Sequence, residues 1–262
     1  MRQDEIQQNE KQQNEMRQNE IWQHEKQPNK TQQNEVRRSE SREAAAWIDR
    51  YKIITIVRGI APTDCAALAE ALYAGGIRLM EITFDQREGE PYRSTVDTIA
   101  SMVNMWKGRM CIGAGTVLTR EQLHAARKAG AGYIVTPNTD PAIIREAGEL
   151  DMAVLAGAMT PSEVVTAYGA GADFVKLFPA SCLGPAYVKA IRAPLSHIPM
   201  LAVGGVDEKN LRSFLDAGMC GAGVGGKLVN KEWIREGAFD RITALARQYV
   251  KIAEEAAEGY SR

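Results

Sequence analysis

The sequence predicts an α/β protein, a (β/α)8 or TIM barrel preceded by a low-complexity N-terminal tail. Three observations predict this fold class. Short apolar or β-branched runs alternate with Ala-rich helical stretches along residues 53–224, which is typical of a parallel sheet buried on both faces. Several helical stretches end in Gly, the residue that most readily forms a left-handed C-terminal cap. The first 40 residues differ from the rest and repeat with a period of five.

The predicted tail covers residues 1–44. Its repeat runs from Glu5 to Ser39, and 15 of the first 40 residues are Gln or Asn. A period of five matches neither a helix nor a strand, so the few apolar side chains do not line up on one face. Such a segment buries too little apolar surface to offset the entropy of ordering it. We expect a disordered tail. The alternative is a docking tail or a transient coiled coil, which the many Glu and Gln residues favour.

Residues 45–262 are predicted to form a single barrel domain. The expected strands are Ile53–Arg58, Arg78–Phe84, Met110–Ala114, Tyr133–Thr136, Met152–Ala156, Asp173–Phe178, Met200–Val203 and Cys220–Val224. The expected helices are Asp64–Ala74, Ser94–Trp106, Arg120–Ala129, Pro141–Glu149, Pro161–Ala170, Pro185–Arg192 and Glu208–Ala217. Eight strands in roughly 215 residues fit a compact barrel. The rival is a doubly wound open sheet, but no GxGxxG motif follows the first strand.

Charge and composition exclude several classes of protein. Thirty-two Lys and Arg residues against 33 Asp and Glu residues leave a net charge of −1, so we expect no nucleic-acid partner and no membrane anchor. The four cysteines lie far apart and form no CxxC pair, which favours reduced thiols in a cytoplasmic protein. The three histidines, His24, His124 and His197, lie far from one another, so we expect no metal.

Lys176 is the most informative polar residue. It lies inside the apolar strand Asp173–Phe178, where a lysine is costly unless it is paired or neutralised. Desolvation lowers the pKa of a lysine and leaves a free amine that can attack a carbonyl carbon. The alternative is a structural lysine whose stem packs in the barrel wall while its ammonium reaches solvent.

Glu81 lies in a second apolar strand, Arg78–Phe84. Strands 2 and 6 of an eight-stranded barrel lie opposite each other, so inward-pointing side chains of Glu81 and Lys176 would face across the barrel mouth. Carbon–carbon bond chemistry through a Schiff base requires an amine that forms an iminium and a carboxylate that moves protons. The alternative is a structural ion pair that fills the barrel.

Further candidates follow other strands, where the catalytic groups of such barrels lie. The pairs Gly204-Gly205 and Gly225-Gly226 follow strands 7 and 8, whose loops often bind phosphate, although paired glycines are also ordinary turn formers. Arg58 ends strand 1 and could bind a carboxylate or make a surface salt bridge. Thr116 follows strand 3 and could bind a substrate oxygen or cap the next helix.

Five segments together resemble the class I 2-keto-3-deoxy-6-phosphogluconate (KDPG) and 4-hydroxy-2-oxoglutarate aldolases. The resemblance covers residues 51–250 and leaves out the tail. In chain order, the segments that carry it are residues 74–84, 113–118, 174–180, 203–206 and 223–226.

The resemblance implies a mechanism and a set of roles. Lys176 would form a Schiff base with the substrate ketone, and Glu81 would be the general acid and base. Arg58 and Thr116 would hold the carboxylate, and the substrate-binding set would also contain Pro179, Gly204, Gly205, Gly225 and Gly226. A 2-keto-3-deoxy sugar acid phosphate or 4-hydroxy-2-oxoglutarate would be cleaved to pyruvate and glyceraldehyde 3-phosphate or glyoxylate, without a cofactor. The family's usual homotrimer is also expected.

Two features depart from the family pattern. Asp85, Gln86 and Arg87 follow strand 2, where many relatives carry an arginine or a small residue. Lys227 occupies a place where a serine is usual beside the phosphate. Both departures concern the choice of substrate more than the core chemistry.

Two other functions remain open from the sequence. One is a phosphate-binding barrel of another kind, an isomerase, epimerase or synthase, which the glycine pairs fit equally well but which does not need Lys176. The other is a catalytically idle trimeric scaffold whose tail recruits a partner. The unusual tail favours the scaffold, whereas the presence of both Lys176 and Glu81 favours an enzyme.

Overall fold

The computed structural model describes residues 43–87, 89 and 92–259. The prediction of a disordered tail falls almost entirely outside these residues, and the boundary between residues 44 and 45 stays a prediction. The first described helix, α1, covers residues 43–51 and so includes the last two residues of the predicted tail.

Eight parallel strands close into a barrel in chain order, with β8 paired to β1. This confirms the predicted fold class. The strands are β1 Ile53–Val57, β2 Leu79–Thr83, β3 Cys111–Gly115, β4 Tyr133–Val135, β5 Ala153–Ala158, β6 Phe174–Leu177, β7 Met200–Val203 and β8 Gly221–Val224.

Helices cover the outside of the barrel. After α1 they are α2 Pro62–Ala74, α3 Arg93–Met105, α4 Arg120–Lys128, α5 Pro141–Glu149, α6 Pro161–Gly169, α7 Ala180–Arg192, α8 Leu211–Asp216, α9 Lys231–Arg235 and α10 Phe239–Gly259. Side chains cap several N-termini: Thr119 caps α4, Asp140 caps α5, and Thr160 forms a capping box with Glu163 on α6. None of the described helices combines the length and apolar composition needed to cross a membrane.

The barrel interior is filled at one end and open at the other. Ala44 and Ile48 of α1 pack with Ile54, Leu79 and Tyr133 in the interior core, next to the N-terminal ends of the strands. A larger core lies between the strands and the surrounding helices. Because α1 closes the end of the barrel at which the strands begin, space for a ligand remains at the C-terminal ends of the strands, where barrel enzymes place their chemistry.

Candidate active site

A cavity of about 790 Å³ opens at the C-terminal ends of the strands. The strands and the loops after them contribute its lining residues: Ile56, Arg58, Glu81, Thr116, Pro137, Lys176, Phe178, Val203, Gly204, Gly205, Val206, Gly223, Gly225, Gly226 and Lys227. The cavity thus brings together all the predicted site residues except Pro179. Pro179 lies next to the cavity, where its Cα limits the space beside Gly204.

Lys176 projects into this cavity from the middle of β6. Its strand neighbours are Gly157 on β5 and Leu201 on β7, and the residue is only 5% exposed. Its Nζ lies 4.9 Å from the centre of the Phe178 ring. Burial lowers the pKa of Lys176, the Glu81 carboxylate opposes that shift, and the Arg58 guanidinium adds to it. A neutral amine is therefore more accessible here than on an exposed lysine.

Glu81 reaches the same cavity from β2 and is 2% exposed. Burial raises its pKa, while the positive charges of Lys176 and Arg58 act in the opposite direction. The pKa of Glu81 rises and that of Lys176 falls, so both move toward neutral pH. Groups that exchange protons with a substrate work best when their pKa values lie near the working pH.

A glycine makes room for the Glu81 side chain. Gly115 ends β3, and a Cβ atom placed on it would lie 1.8 Å from Oε1 of Glu81. No contact of that length can exist, so even an alanine at this position would displace the carboxylate. Gly115, the second of the two glycines in the segment 113–118, is therefore required by the position of the Glu81 carboxylate.

Replacing Gly115 with alanine is expected to lower both turnover and stability. The added methyl must push Glu81 out of place, and overpacking in a core costs about 1–3 kcal/mol. Steady-state kinetics and a thermal melt measure the two effects. Gly148 is the matched control, because a Cβ on it meets nothing within 4 Å. Equal effects of Gly115→Ala and Gly148→Ala would contradict the prediction.

Arg58 and Thr116 form a polar pair at the cavity edge. Nη2 of Arg58 donates a hydrogen bond to Oγ1 of Thr116 at 3.0 Å. Thr116 has a φ of 57°, a left-handed conformation that a β-branched residue rarely adopts. The two side chains present a guanidinium and a hydroxyl at one place, which suits a carboxylate.

The loops after β7 and β8 form the remaining wall. Gly204 and Gly205 both have positive φ, 91° and 73°, so a side chain at either position would be strained. Gly205 also lies against the Ser181 hydroxyl, which a Cβ atom would meet at 2.1 Å. Lys227 is exposed and lines the cavity beside Gly225 and Gly226. This wall combines accessible backbone with a positive charge.

The acidic departure after β2 is paired within its own turn. Asp85 Oδ2 lies 2.6 Å from Nη2 of Arg87, and hydrogen bonds from Arg87 lower the pKa of Asp85 to about 2. Neither residue lines the cavity. The negative charge of Asp85 is therefore opposed by its neighbour at the barrel mouth.

The sequence does not identify several of the residues that line the cavity as members of a site. Ile56, Phe178 and Gly223 line the cavity but carry no charge that distinguishes them from core residues. The available signal is the two-residue alternation of a strand, which places Ile56 on the same face as Arg58, and Phe178 on the same face as Lys176. In the described residues no three His, Cys, Asp or Glu side chains come together as a metal site. The expectation of no metal stays a prediction.

Comparisons with known proteins agree with this geometry. The family model described as "KDPG and KHG aldolase" matches residues 45–245. The 2-dehydro-3-deoxy-6-phosphogalactonate aldolase of Escherichia coli (strain K12) is 37% identical over 214 residues, which cover 81% of this chain and 99% of the relative. The 2-dehydro-3-deoxy-phosphogluconate aldolase of Treponema pallidum (strain Nichols) is 31% identical over 207 residues, 78% of this chain and 95% of the relative.

A solved structure extends the likeness to three dimensions. The KDPG aldolase of Legionella pneumophila, captured with pyruvate as a covalent carbinolamine intermediate, superposes with a TM-score of 0.71 at 27% identity. The match covers 79% of this chain and 97% of that one. The similarity therefore spans almost the whole of the relatives and nearly all of the barrel. It confirms the resemblance that the five segments indicate: the chain belongs to the KDPG and KHG aldolase family and is an aldolase, a lyase.

Proposed function

We propose that this aldolase works through a Schiff base on Lys176 and releases pyruvate. The observation that carries the proposal is a buried lysine on β6 with a buried glutamate in the same cavity, each shifting the other's pKa. The amine supplies a nucleophile, and the carboxyl group supplies a proton donor and acceptor.

The reaction follows from the positions of these groups. Nζ of Lys176 attacks the C2 ketone to form a carbinolamine, and loss of water leaves an iminium. Glu81 removes the proton of the C4 hydroxyl, the C3–C4 bond breaks, and its electron pair moves into the iminium to form an enamine. The aldehyde leaves, Glu81 returns the proton to C3, and water releases pyruvate and the free amine. Arg58 and Thr116 bind the C1 carboxylate throughout.

The substrate we propose is a phosphorylated six-carbon 2-keto-3-deoxy acid. The cavity wall of Gly204, Gly205, Gly225 and Gly226 with Lys227 offers backbone groups and a positive charge to a distal anion. The E. coli and T. pallidum relatives carry the names of a phosphogalactonate and a phosphogluconate aldolase, whose substrates differ in configuration at C4. We place the phosphogalactonate compound first because the more identical of these two relatives carries that name.

Two measurements test the proposal. The protein is incubated with pyruvate and borohydride, and the reduced adduct is mapped by mass spectrometry; we expect it on Lys176. Specificity constants are then compared for the two phosphorylated epimers and for 4-hydroxy-2-oxoglutarate. The absence of an adduct on the folded protein would favour an idle scaffold or another phosphate-binding barrel. An adduct with a preference for 4-hydroxy-2-oxoglutarate would overturn the substrate assignment alone.

Replacing Lys227 with methionine is expected to raise the KM for the phosphorylated substrate about tenfold, because a charge-assisted contact at an open site is lost. Pyruvate lacks a distal anion, so its half-saturating concentration for trapping should not change. Lys189→Met, on the exposed surface of α7, is the control for loss of a positive charge. An unchanged KM for the phosphorylated substrate would remove Lys227 from the phosphate site.

We further propose a cytoplasmic homotrimer. All four cysteines are free, which agrees with a reducing compartment. Three large apolar side chains, Met159, Val165 and Tyr168, are 45%, 50% and 41% exposed on or just before α6, and such a patch suits a contact between copies. Light scattering after size-exclusion chromatography measures the assembly. A monomeric mass at micromolar concentration would contradict the trimer.

A further inference from the structure

The backbone of Thr116 is held in an unfavourable conformation at the edge of the active site. A β-branched residue with φ of 57° is a conformational outlier, and such outliers persist only where the surrounding structure holds them. The Thr116 side chain accepts its hydrogen bond from Arg58. The position of its hydroxyl therefore depends on what holds its backbone.

Two glutamines, Gln86 and Gln122, form a continuous chain of hydrogen bonds around this turn, and we call the pair the glutamine relay. The backbone N–H of Leu118 donates to Oε1 of Gln122 at 2.7 Å. Nε2 of Gln122 donates to Oε1 of Gln86 at 3.0 Å, and Nε2 of Gln86 donates to the carbonyl of Thr116 at 2.8 Å. The relay starts and ends on the same turn and encloses Thr116.

The two glutamines of the relay come from separate elements, and each amide has only one orientation that makes these hydrogen bonds. Gln122 belongs to the first turn of α4 and is 1% exposed, whereas Gln86 lies on the loop after β2 and is exposed. Each amide donates with its nitrogen and accepts with its oxygen, so turning either one would place like groups against each other. A buried glutamine with both amide atoms used in this way is costly to leave unpaired.

We propose that Gln86 and Gln122 are positioning residues for recognition of the substrate carboxylate, acting through Thr116. The inference rests on the proposed function, in which Arg58 and Thr116 bind that carboxylate. The glutamine relay holds the Thr116 carbonyl, the left-handed turn directs the hydroxyl toward Arg58, and the pair is ready before the keto acid arrives. Preorganisation of this kind lowers the cost of binding.

Two variants test the relay with pyruvate and borohydride as the probe. Gln86→Ala removes the donor to Thr116 at an exposed position, where folding is not at risk. Gln122→Glu keeps the oxygen that accepts from the Leu118 N–H but removes the nitrogen that donates to Gln86. Gln86 then has to turn its amide nitrogen toward the new carboxylate. That turn places the Gln86 oxygen against the Thr116 carbonyl, which can no longer accept a hydrogen bond from it. For each variant we expect the half-saturating pyruvate concentration to rise about tenfold, with a much smaller change in the trapping rate at saturation.

The control and the thermal melt separate positioning from stability. Gln248→Glu makes the same chemical change on the exposed face of α10 and should trap pyruvate as the unchanged chain does. Wild-type half-saturation in both relay variants, even with a lower Tm, would overturn the inference and leave the proposed function standing. If Gln122→Glu does not fold, Gln86→Ala alone decides. If the unchanged chain traps no pyruvate, the proposed function fails and the inference falls with it.

Discussion

Replacing Lys176 with methionine is expected to abolish pyruvate trapping and to lower kcat by about 10⁴-fold or more, as removal of a covalent nucleophile commonly does. The reason is local. Methionine has a similar length and no amine, so it can fill the space between Gly157 and Leu201 without forming an iminium. Loss of the buried lysine removes a desolvation cost, but it also removes a positive charge that lowers the pKa of Glu81. We expect the Glu81 carboxyl group to take up a proton more readily, so the variant should still fold.

The measurement combines turnover with mass spectrometry of the reduced adduct. Lys189→Met on α7 is the matched control, because it removes an exposed lysine outside the cavity and should leave both readouts unchanged. A melting temperature close to that of the unchanged chain would show that the loss is chemical. A Lys176→Met protein that still forms the adduct would move the nucleophile to another lysine and overturn the assignment.

The sequence predicts the barrel well because its signals are local. Each strand is a short apolar run, and each predicted strand overlaps an observed one. Among the strands, the largest difference from the prediction is at β5, which is predicted to end at Ala156 but continues to Ala158. Gly157 and Ala158 pair there with Lys176 and Leu177 of β6. Pairing with a neighbouring strand thus extends β5 through small residues that carry no strand signal of their own.

The residues of the candidate site also differ in whether a local sequence pattern reveals them. Lys176 and Glu81 can be found from the sequence, because a charge inside an apolar strand is anomalous wherever it occurs. The glutamine relay cannot, because Gln86 and Gln122 are 36 positions apart and each suits an ordinary loop or helix. The need for Gly115 is also invisible until Glu81 is seen to lie over it. Contacts between separate elements decide these roles, and the local pattern does not contain them.

Replacing Glu81 with glutamine is expected to lower kcat by about 10²–10⁴-fold, the usual contribution of a general acid and base. The amide has nearly the same shape, so the space over Gly115 stays filled, but it can neither take the C4 proton nor return one to C3. The change also alters Lys176. The Glu81 carboxylate raises the pKa of Lys176, so its removal lets that pKa fall further.

The lower pKa of Lys176 in this variant predicts the direction in which the pH–rate profile shifts. Activity requires the neutral amine, so the acidic limb of the pH–rate profile that reports Lys176 should move to lower pH in Glu81→Gln. The profile is measured as kcat/KM against pH, with Glu255→Gln on α10 as the surface control. A limb that stays in place, or moves to higher pH, would mean that the Glu81 charge does not act on Lys176. If kcat also stayed within a few-fold of the unchanged chain, a group other than Glu81 would have to carry the proton between C4 and C3.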